Sequence, residues 1–462
     1  MESFFGFVDK IIVWYNDYIG GYALLIVLVP TGLFFSLKFN FLHIRKIVHS
    51  FKVISGKYDK KGDTGDINHF RALTTALSAT VGTGNIVGVA LAIYYGGPGA
   101  IFWMWVTGFL GMMLKFVECT LSMKFRIINE DGSVSGGPMY YMEMGLKDKL
   151  GSFAKKMAVL FSSAAVLCSL GTGNMAQSNS MADVLRANYD IPTWASGFVI
   201  TALVLLVVVG GIKRIAEVTS KLVPFMAAFY FIGAFAVILI HFKQVPSVFT
   251  MIVQHAFTGT AATGGFIGSA FIMTLTWGVR RGLFSNEAGQ GSAAIAHAAA
   301  KTKYPVREGL VASVGPFIDT IIICSLTAFV IIITGAWDSG KEGVEMTLVG
   351  FNRGLAPIGL GAYAKHIVAG GLLLFAFSTI ISWSYYGTRA SQYLLGSKSI
   401  KPYLYVYGFF VFLGAMGKIE LVWHFVDMVI TFMTIPNLIA ILMLTPVVKK
   451  EIENYFSDPH AL

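Results

Sequence analysis

Apolar residues along this chain fall into long blocks that are separated by shorter polar stretches. Most blocks are about twenty residues long, which is the length of helix that crosses the hydrocarbon core of a bilayer. They cover residues 20–37, 72–94, 98–123, 156–180, 194–212, 217–242, 266–299, 308–334, 363–388, 403–418 and 421–446. We therefore predict an all-α polytopic membrane protein with eleven transmembrane helices, preceded by a short amphipathic or re-entrant piece from Phe4 to Tyr15.

The composition is typical of a protein whose solvent is the lipid bilayer. Hydrophobic residues make up 55% of the 462 residues and charged residues only 13%, and the mean hydropathy is +0.68. Such a chain cannot build a water-soluble surface. The net charge of +10 would suggest a nucleic-acid partner in a soluble protein. Here the basic residues lie mainly in the connections, so we expect neither a nucleic-acid partner nor an organic cofactor.

The distribution of basic residues predicts the orientation of the chain. Most of the 35 Lys and Arg residues lie in one alternate set of connections, of which 38–71 is the longest and most basic. Basic connections are retained on the cytoplasmic side of a membrane. We therefore expect a multi-pass protein of the cell membrane with its N-terminus outside and its C-terminal tail, 447–462, in the cytoplasm.

The second apolar block is interrupted by glycine. It contains Gly82 and Gly84 at about its middle, within the run from Ala76 to Gly88. Glycine weakens a helix, and backbone groups that are unwound in the membrane must line a cavity or bind a ligand. The alternative is close helix packing, because Gly84 and Gly88 also have the GxxxG spacing.

The seventh block is interrupted in a similar way. It starts with Gly264 and contains two arginines, one glutamate and four glycines from Gly278 to Gly291. An uninterrupted helix in lipid would not carry such a set of residues, so we predict a discontinuity near 278–282. Arg280, Arg281 and Glu287 would flank this break and could form a gating or cytoplasmic closure network.

The two breaks occupy corresponding positions in two halves of five helices each. Once an N-terminal segment, 1–71, is set aside, the first half covers 72–242 and the second covers 264–446. Paired broken helices are typical of inverted-repeat transporters, which bind substrate and ion at the interface of the repeats. The N-termini of half-helices attract a carboxylate, and freed carbonyl groups suit a bare Na⁺, so an amino acid and a cation are the expected cargo.

Long motifs in this sequence resemble those of the alanine or glycine:cation symporter family. They are Ser78–Gly88, Gly96–Gly111, Ser135–Tyr141, Gly173–Asn179 and Arg281–Gly289. The resemblance implies a LeuT-type 5+5 inverted repeat preceded by one extra N-terminal helix. It also implies symport of a small neutral amino acid, alanine or glycine, with a monovalent cation that is mainly Na⁺ and in some members H⁺. We expect a monomer to suffice for alternating access.

The resemblance also implies which residues bind the amino acid. They are Thr80, Gly82, Thr83, Gly84 and Asn85 in the first break, Gln177 on the third core segment, Thr276, Trp277 and Gly278 near the second break, and Trp383. Each has a structural alternative. Asn85 could be a buried amide that holds the break together, Gln177 could join two helices, and a tryptophan could lie at the membrane interface.

For the cation, the resemblance implies five oxygen ligands. These belong to Ser78 and Val81 on the first broken helix and to Phe375, Ser378 and Thr379 on a later helix. Hydroxyl and carbonyl oxygens without a carboxylate suit a weakly bound monovalent ion. The alternative is that the hydroxyls bond back to their own helix. Asp319 and Asp427 are candidates for a proton-linked role.

Two other classes of protein stay open at this point. A channel also uses exposed carbonyl groups, although channels usually assemble their pore from repeated subunits. A membrane-embedded enzyme is the second alternative, but the sequence contains neither HExxH nor a Gly-x-Ser-x-Gly elbow.

Overall fold

The computed structural model describes residues 2–60, 62–258, 267–417, 420–459 and 461. The predicted start of the second half, Gly264, lies outside these described residues. Where it is described, the chain is almost entirely helical, and one short hairpin pairs β1 (Ile127–Ile128) with β2 (Val134–Ser135) in antiparallel register. The expectation of an all-helical membrane protein is therefore confirmed at the level of its class.

The helices follow one another in short steps along the chain. The first twelve are α1 (Glu2–Tyr15), α2 (Gly21–Lys38), α3 (Leu42–Arg45), α4 (Ile47–Ile54), α5 (His69–Thr80), α6 (Val87–Gly96), α7 (Ala100–Lys124), α8 (Pro138–Gly145), α9 (Lys147–Leu150), α10 (Ser152–Leu170), α11 (Ala176–Tyr189) and α12 (Thr193–Val208). The others are α13 (Gly211–Ile240), α14 (Val245–Thr258), α15 (Ile267–Asn286), α16 (Ser292–His297), α17 (Pro305–Pro316), α18 (Ser325–Ile333), α19 (Gly343–Leu355), α20 (Ala364–Leu395), α21 (Ile400–Met416), α22 (Glu420–Met443) and α23 (Thr445–Ser457).

Eight helices among the described residues are long and apolar enough to cross a membrane. They are Gly6–Lys38, Ala100–Lys124, Ser152–Tyr189, Gly211–Ile240, Pro305–Ile333, Gly361–Leu395, Ser397–Met416 and Val422–Met443. Three predicted segments, 72–94, 194–212 and 266–299, are not among these eight. The first two contain shorter helices, and the third contains α15, which has 20 residues. The first and third of them are broken, and α12 in the second has 16 residues.

The N-terminal helix differs from its prediction. A π-helical stretch, Asn16–Gly20, joins α1 to α2 without a break, so the separate piece predicted from Phe4 to Tyr15 is wrong. The polar residues that suggested it have partners on α22. Asn16 Nδ2 donates to the His424 carbonyl at 2.8 Å, and Asp9 Oδ1 lies 2.7 Å from His424 Nδ1. These contacts allow polar residues to lie on one continuous helix.

The first break is where the glycines predicted it. Helix α5 ends at Thr80, a 3-10 turn covers Thr83–Asn85, and α6 begins at Val87. The Gly82 N–H donates to the Asn85 side-chain Oδ1 at 2.9 Å. This bond replaces the helical hydrogen bond that the break removes, and the prediction of an unwound segment here is confirmed.

The second break lies later than predicted. Helix α15 runs without interruption through 278–282 to Asn286, and the chain leaves helical geometry at Glu287, Gly289 and Gly291, whose φ angles are 55°, 87° and 78°. The discontinuity predicted near 278–282 is therefore wrong. A Cβ on Gly278 would lie 2.4 Å from the Ala100 carbonyl oxygen. This glycine thus lets α15 pack closely on α7 and does not weaken the helix.

Two π-helical stretches place polar residues in the centre of the bundle. Gly171–Met175 lies between α10 and α11, and Phe317–Cys324 follows Pro316 at the end of α17. A wide turn of this kind often marks a functional site. The first stretch precedes Gln177, and the second contains Asp319, so both lie beside the first break.

Candidate functional site

Five oxygen atoms converge between the end of α5 and the middle of α20. The Thr379 hydroxyl oxygen lies 3.1 Å from the Ser78 carbonyl oxygen, 3.4 Å from that of Val81 and 3.1 Å from that of Phe375. The Ser378 hydroxyl oxygen lies 3.1, 3.5 and 2.9 Å from the same three carbonyl oxygens. The structure therefore brings all five expected ligands together, and we call this group the oxygen cage.

The oxygen cage has more acceptors than donors. Each hydroxyl carries one proton, and yet each lies within hydrogen-bond reach of three carbonyl oxygens. The residues are buried: Ser78 and Ser378 have no exposed surface, and Thr379 is 2% exposed. A small cation would satisfy this surplus of lone pairs, and neutral oxygens without a carboxylate suit a monovalent ion that must leave again.

The first break is joined to α11 through Gln177. The Thr83 N–H donates to Gln177 Oε1 at 3.3 Å, and Gln177 Nε2 donates to the Thr83 hydroxyl at 3.1 Å and to the Thr172 carbonyl at 3.0 Å. The Thr172 hydroxyl is buried and has no hydrogen-bond partner among the described residues. These groups could exchange their mutual bonds for bonds to an amino acid.

The break also connects this group to the oxygen cage. A Cβ on Gly82 would lie 2.5 Å from the Thr379 hydroxyl oxygen and 3.3 Å from Gln177 Oε1. Gly82 is therefore the residue at which the two groups meet. Two other residues of the break face elsewhere, because the Thr80 hydroxyl bonds back to the Leu77 carbonyl at 3.3 Å and Gly84 packs against Phe284.

Asn85 anchors the break to the second half of the chain. Its Nδ2 donates to Asp319 Oδ1 at 2.6 Å and lies 3.2 Å from the Ser285 hydroxyl oxygen. Asp319 Oδ2 accepts hydrogen bonds from the hydroxyls of Ser285 at 2.7 Å and Thr320 at 2.8 Å. Asp319 and Asn85 are fully buried. The structural role that the sequence left open for Asn85, a buried amide that holds the break together, is therefore present in this conformation.

Trp383 lies one helical turn beyond Thr379 on α20 and reaches the second break. Its Nε1 donates to Glu287 Oε1 at 2.9 Å, and Glu287 Oε2 accepts from the Ser292 hydroxyl at 2.5 Å. A Cβ on Gly173 would lie 2.2 Å from Trp383 Cγ, so only glycine fits against the indole there. The indole is 2% exposed and is held on both sides.

The three residues predicted beside the second break do not border it. Thr276, Trp277 and Gly278 are helical residues of α15, about ten residues before the break. Gly278 packs on α7, and the Thr276 hydroxyl is buried without a partner among the described residues. Trp277 lines a cavity of about 450 Å³, together with Thr83, Tyr95, Arg281 and other residues. We call this cavity the vestibule. Trp277 is one of its lining residues, and the vestibule reaches the first break at Thr83.

The charged residues near the second break do not form the predicted common network. Arg281 contacts Asp427, with 4.0 Å between Nη2 and Oδ2, and its guanidinium lies 5.1 Å from the Trp277 ring. Arg280 contacts Asp17 at 3.6 Å. Glu287 instead lies with Trp383 on the far side of the break, because α15 continues past both arginines before it ends.

We expect replacement of Trp277 by alanine to weaken transport without abolishing it. The indole stacks on Tyr95, with 4.4 Å between ring centroids and 15° between planes, and lies outside the break. The half-saturating substrate concentration should rise about two- to tenfold, because one aromatic contact is worth about 0.5–1.5 kcal/mol and about 1.4 kcal/mol corresponds to a factor of ten. Initial rates of uptake at several substrate concentrations measure this. A complete loss of uptake would place Trp277 in the central site.

Two residues of the candidate site have no binding role in the prediction from sequence. Glu287 was taken for a gating residue, and its bond to Trp383 joins residues that are 96 positions apart. Thr172 has no distinctive motif and becomes notable only because the π-helical stretch leaves its hydroxyl unpaired. The sequence signal that could have found Glu287 is its place directly before Gly289 and Gly291, two glycines at which a helix can end.

The broken helices and the long apolar helices define a multi-pass membrane transporter. Residues 5–461 match the model of the sodium:alanine symporter family, and the chain belongs to this family. Its members are transporters, so the chain is not an enzyme.

Curated relatives are similar along almost their whole length. A sodium/alanine symporter of Methanococcus maripaludis is 41% identical over 94% of this chain and 94% of its own. An uncharacterized transporter of Haemophilus influenzae is 42% identical over 97% and 96%. A probable sodium/glutamine symporter of Bacillus subtilis is 35% identical over 95% and 89%.

A solved structure shares the fold at low sequence identity. The crystal structure of MhsT in complex with L-phenylalanine covers 85% of this chain and 93% of its own, with a TM-score of 0.61 and 13% identity. At this identity the likeness extends to the fold alone, and it supports the LeuT-type architecture that the motifs implied.

Proposed function

We propose that this protein takes up alanine or glycine together with Na⁺ by alternating access. The observation that carries the proposal is the junction at Gly82. On one side lies the oxygen cage, and on the other lie Thr83 and Gln177. Because one unwound segment supplies groups to both, a cation in the cage would fix the backbone that the amino acid binds. This arrangement couples the two cargoes.

Na⁺ in the oxygen cage is supported by the five neutral oxygen ligands of Ser78, Val81, Phe375, Ser378 and Thr379. Family membership and the name of the Methanococcus maripaludis relative, a sodium/alanine symporter, support the same ion. H⁺ is the alternative coupling ion, and the buried Asp319 carboxylate beside the break is the group that favours it.

A small substrate is supported by the groups around the break. The substrate carboxylate would take the N–H groups of 82–85, and Gln177 and the Thr172 hydroxyl would orient its polar atoms. Trp383, held by Gly173 and Glu287, would close the pocket against larger side chains. A relative is named for glutamine, so glutamine is the second candidate substrate.

The eleven-helix 5+5 arrangement is supported by the two broken segments and by α12. Together they supply the three crossings beyond the eight long apolar helices. The proposed orientation places the N-terminus outside and the C-terminus in the cytoplasm, because the connection 38–71 is basic and α23 carries Lys449 and Lys450 in its first two turns. A single chain contains the whole proposed site, which supports a functional monomer.

Uptake into proteoliposomes tests this function. Purified protein should accumulate labelled alanine when an inward Na⁺ gradient is imposed, and unlabelled glycine should compete more strongly than glutamine. Accumulation that persisted without a Na⁺ or H⁺ gradient would contradict the coupling. Non-saturating flux would instead indicate a channel, and accumulation with H⁺ alone would move the coupling site to Asp319.

A further inference from the structure

One end of the bundle is closed by a backbone strap between the two broken helices. The segment before α5 pairs with the segment after α16: the Asp66 N–H donates to the Ala299 carbonyl at 2.8 Å, and the Lys301 N–H donates to the Ile67 carbonyl at 2.7 Å. The Arg126 guanidinium donates hydrogen bonds to both segments, to the carbonyls of Thr64, Ala298, Ala300 and Thr302 at 2.6–2.9 Å. The vestibule lies at the other end, along α6.

A buried carboxylate lies beneath this strap and ties three helices together. Glu308 on α17 accepts a hydrogen bond from His297 Nδ1, at the end of α16, over 2.6 Å, and its other oxygen bonds to Nδ1 of His69, at the start of α5. Glu308 has no exposed surface, and each histidine is 1% exposed. Both half-helices on this side of the breaks are therefore held by the same carboxylate.

His69 has a second nitrogen that is buried and unsatisfied. Its Nε2 has no hydrogen-bond partner among the described residues, and it points to Asp59, whose Oδ1 lies 3.6 Å away. The Asp59 side chain is 42% exposed and belongs to the connection between α4 and α5. Neutral His69 thus presents a lone pair to a carboxylate, whereas protonated His69 would donate to both Glu308 and Asp59.

We propose that His69 is a proton-binding site, separate from the cargo sites, that locks this face of the transporter closed. A proton on Nε2 converts His69 into a cation between two carboxylates, and it attaches the connection that carries Asp59 to α5. The closed state binds this proton more tightly than a state in which α5 has moved away, so acid on this face favours closure. Histidine is suited to this role because its ordinary pKa is about 6.5.

The other charges around His69 are compatible with this role. Arg307 on α17 is a cation that acts on His69, and its guanidinium is bound to the Tyr58 and Ala461 carbonyls. His49 and Lys52 lie on α4, and Lys46 is its N-cap residue. On α13, Lys213, Arg214, Glu217 and Lys221 are all exposed. On α20, Arg389 is bound to Ser135 and Gln392. Asp59 and Glu308 are therefore the carboxylates available to His69.

The experiment varies the pH on this face, which is the cytoplasmic face in the proposed orientation. In proteoliposomes, alanine uptake by the wild type should fall at least about threefold when the pH on the side of Asp59 changes from 8 to 6. Asp59→Asn should flatten this profile and leave the rate at pH 8 within about twofold of the wild type, because Asp59 is partly exposed and touches no cargo group. Asp148→Asn, an exposed residue of α9, is the matched control and should keep the wild-type profile.

The uptake assay rests on the proposed function. A second measurement does not depend on transport, and it therefore tests this inference separately from that function. Ala76→Cys places a thiol in α5, where Ala76 is 3% exposed, and the native cysteines are buried. Thiol reagents attack the thiolate, so acid slows the modification of any cysteine. The slowing between pH 8 and pH 6 with a membrane-impermeant reagent should therefore be greater when Asp59 is present than in the Asp59→Asn background. If the ratio of the modification rates at pH 8 and pH 6 were the same with and without Asp59, the proposal would be overturned.

Discussion

Replacement of Gly82 by alanine is expected to abolish Na⁺-driven amino acid uptake, with a loss of at least about 100-fold. The added methyl group would lie 2.5 Å from the Thr379 hydroxyl oxygen and 3.3 Å from Gln177 Oε1. It would therefore disturb the oxygen cage and the Thr83–Gln177 group at once. The backbone of Gly82 has φ −138° and is accessible to any residue, so the effect is steric. Uptake in proteoliposomes at saturating Na⁺ measures it.

Gly88→Ala is the matched control on the same broken helix. A Cβ there would meet only Arg281 Cδ, at 3.9 Å, which is ordinary van der Waals contact. This variant should transport within about threefold of the wild type, and both variants should elute as monodisperse protein. If Gly82→Ala were folded and transported normally, the junction of the two cargo sites would lie elsewhere.

The two breaks differ in how well the sequence predicts them. The first was located correctly because Gly82 and Gly84 interrupt an otherwise apolar block. The second was placed too early because Gly278 and Gly282 look the same in sequence, although their role is to admit Ala100 and Thr107 of α7. Only the packing partner distinguishes a glycine that ends a helix from one that lets two helices approach.

The candidate site was accessible from sequence only in part. Ser378 and Thr379 would have been assigned to bonds within their own helix, and such bonds to Phe375 are indeed present. The resemblance to a family supplied their pairing with Ser78 and Val81. The closure at the other end was not found, because His69 and Glu308 are 239 positions apart and neither lies in a motif. Contacts of that separation depend on how the helices pack.

Replacement of Thr379 by valine is expected to raise the half-saturating Na⁺ concentration at least about tenfold. Valine keeps the shape of threonine but replaces the hydroxyl by a methyl group, so one of five oxygen atoms is lost from a buried cage. A tenfold change corresponds to about 1.4 kcal/mol, which is of the order of one hydrogen bond to a charged group. The maximal rate at very high Na⁺ should change less, because the groups around Thr83 and Gln177 are untouched.

The size of this effect depends on whether the cage holds the coupling ion, and the choice of variants separates the possibilities. Thr379→Ser retains the hydroxyl and should keep a Na⁺ dependence close to that of the wild type. If the hydroxyl had only a structural role, the serine and valine variants would differ in thermal stability and not in Na⁺ dependence. Initial rates of alanine uptake against Na⁺ concentration, with choline as the replacing cation, measure the dependence for all three proteins. If the curve for Thr379→Val matched the wild type, the ion would bind outside the cage. In that case the bonds from Ser378 and Thr379 to the carbonyls of Ser78 and Val81 would only fasten α20 to the first break, and Asp319 would become the residue to test.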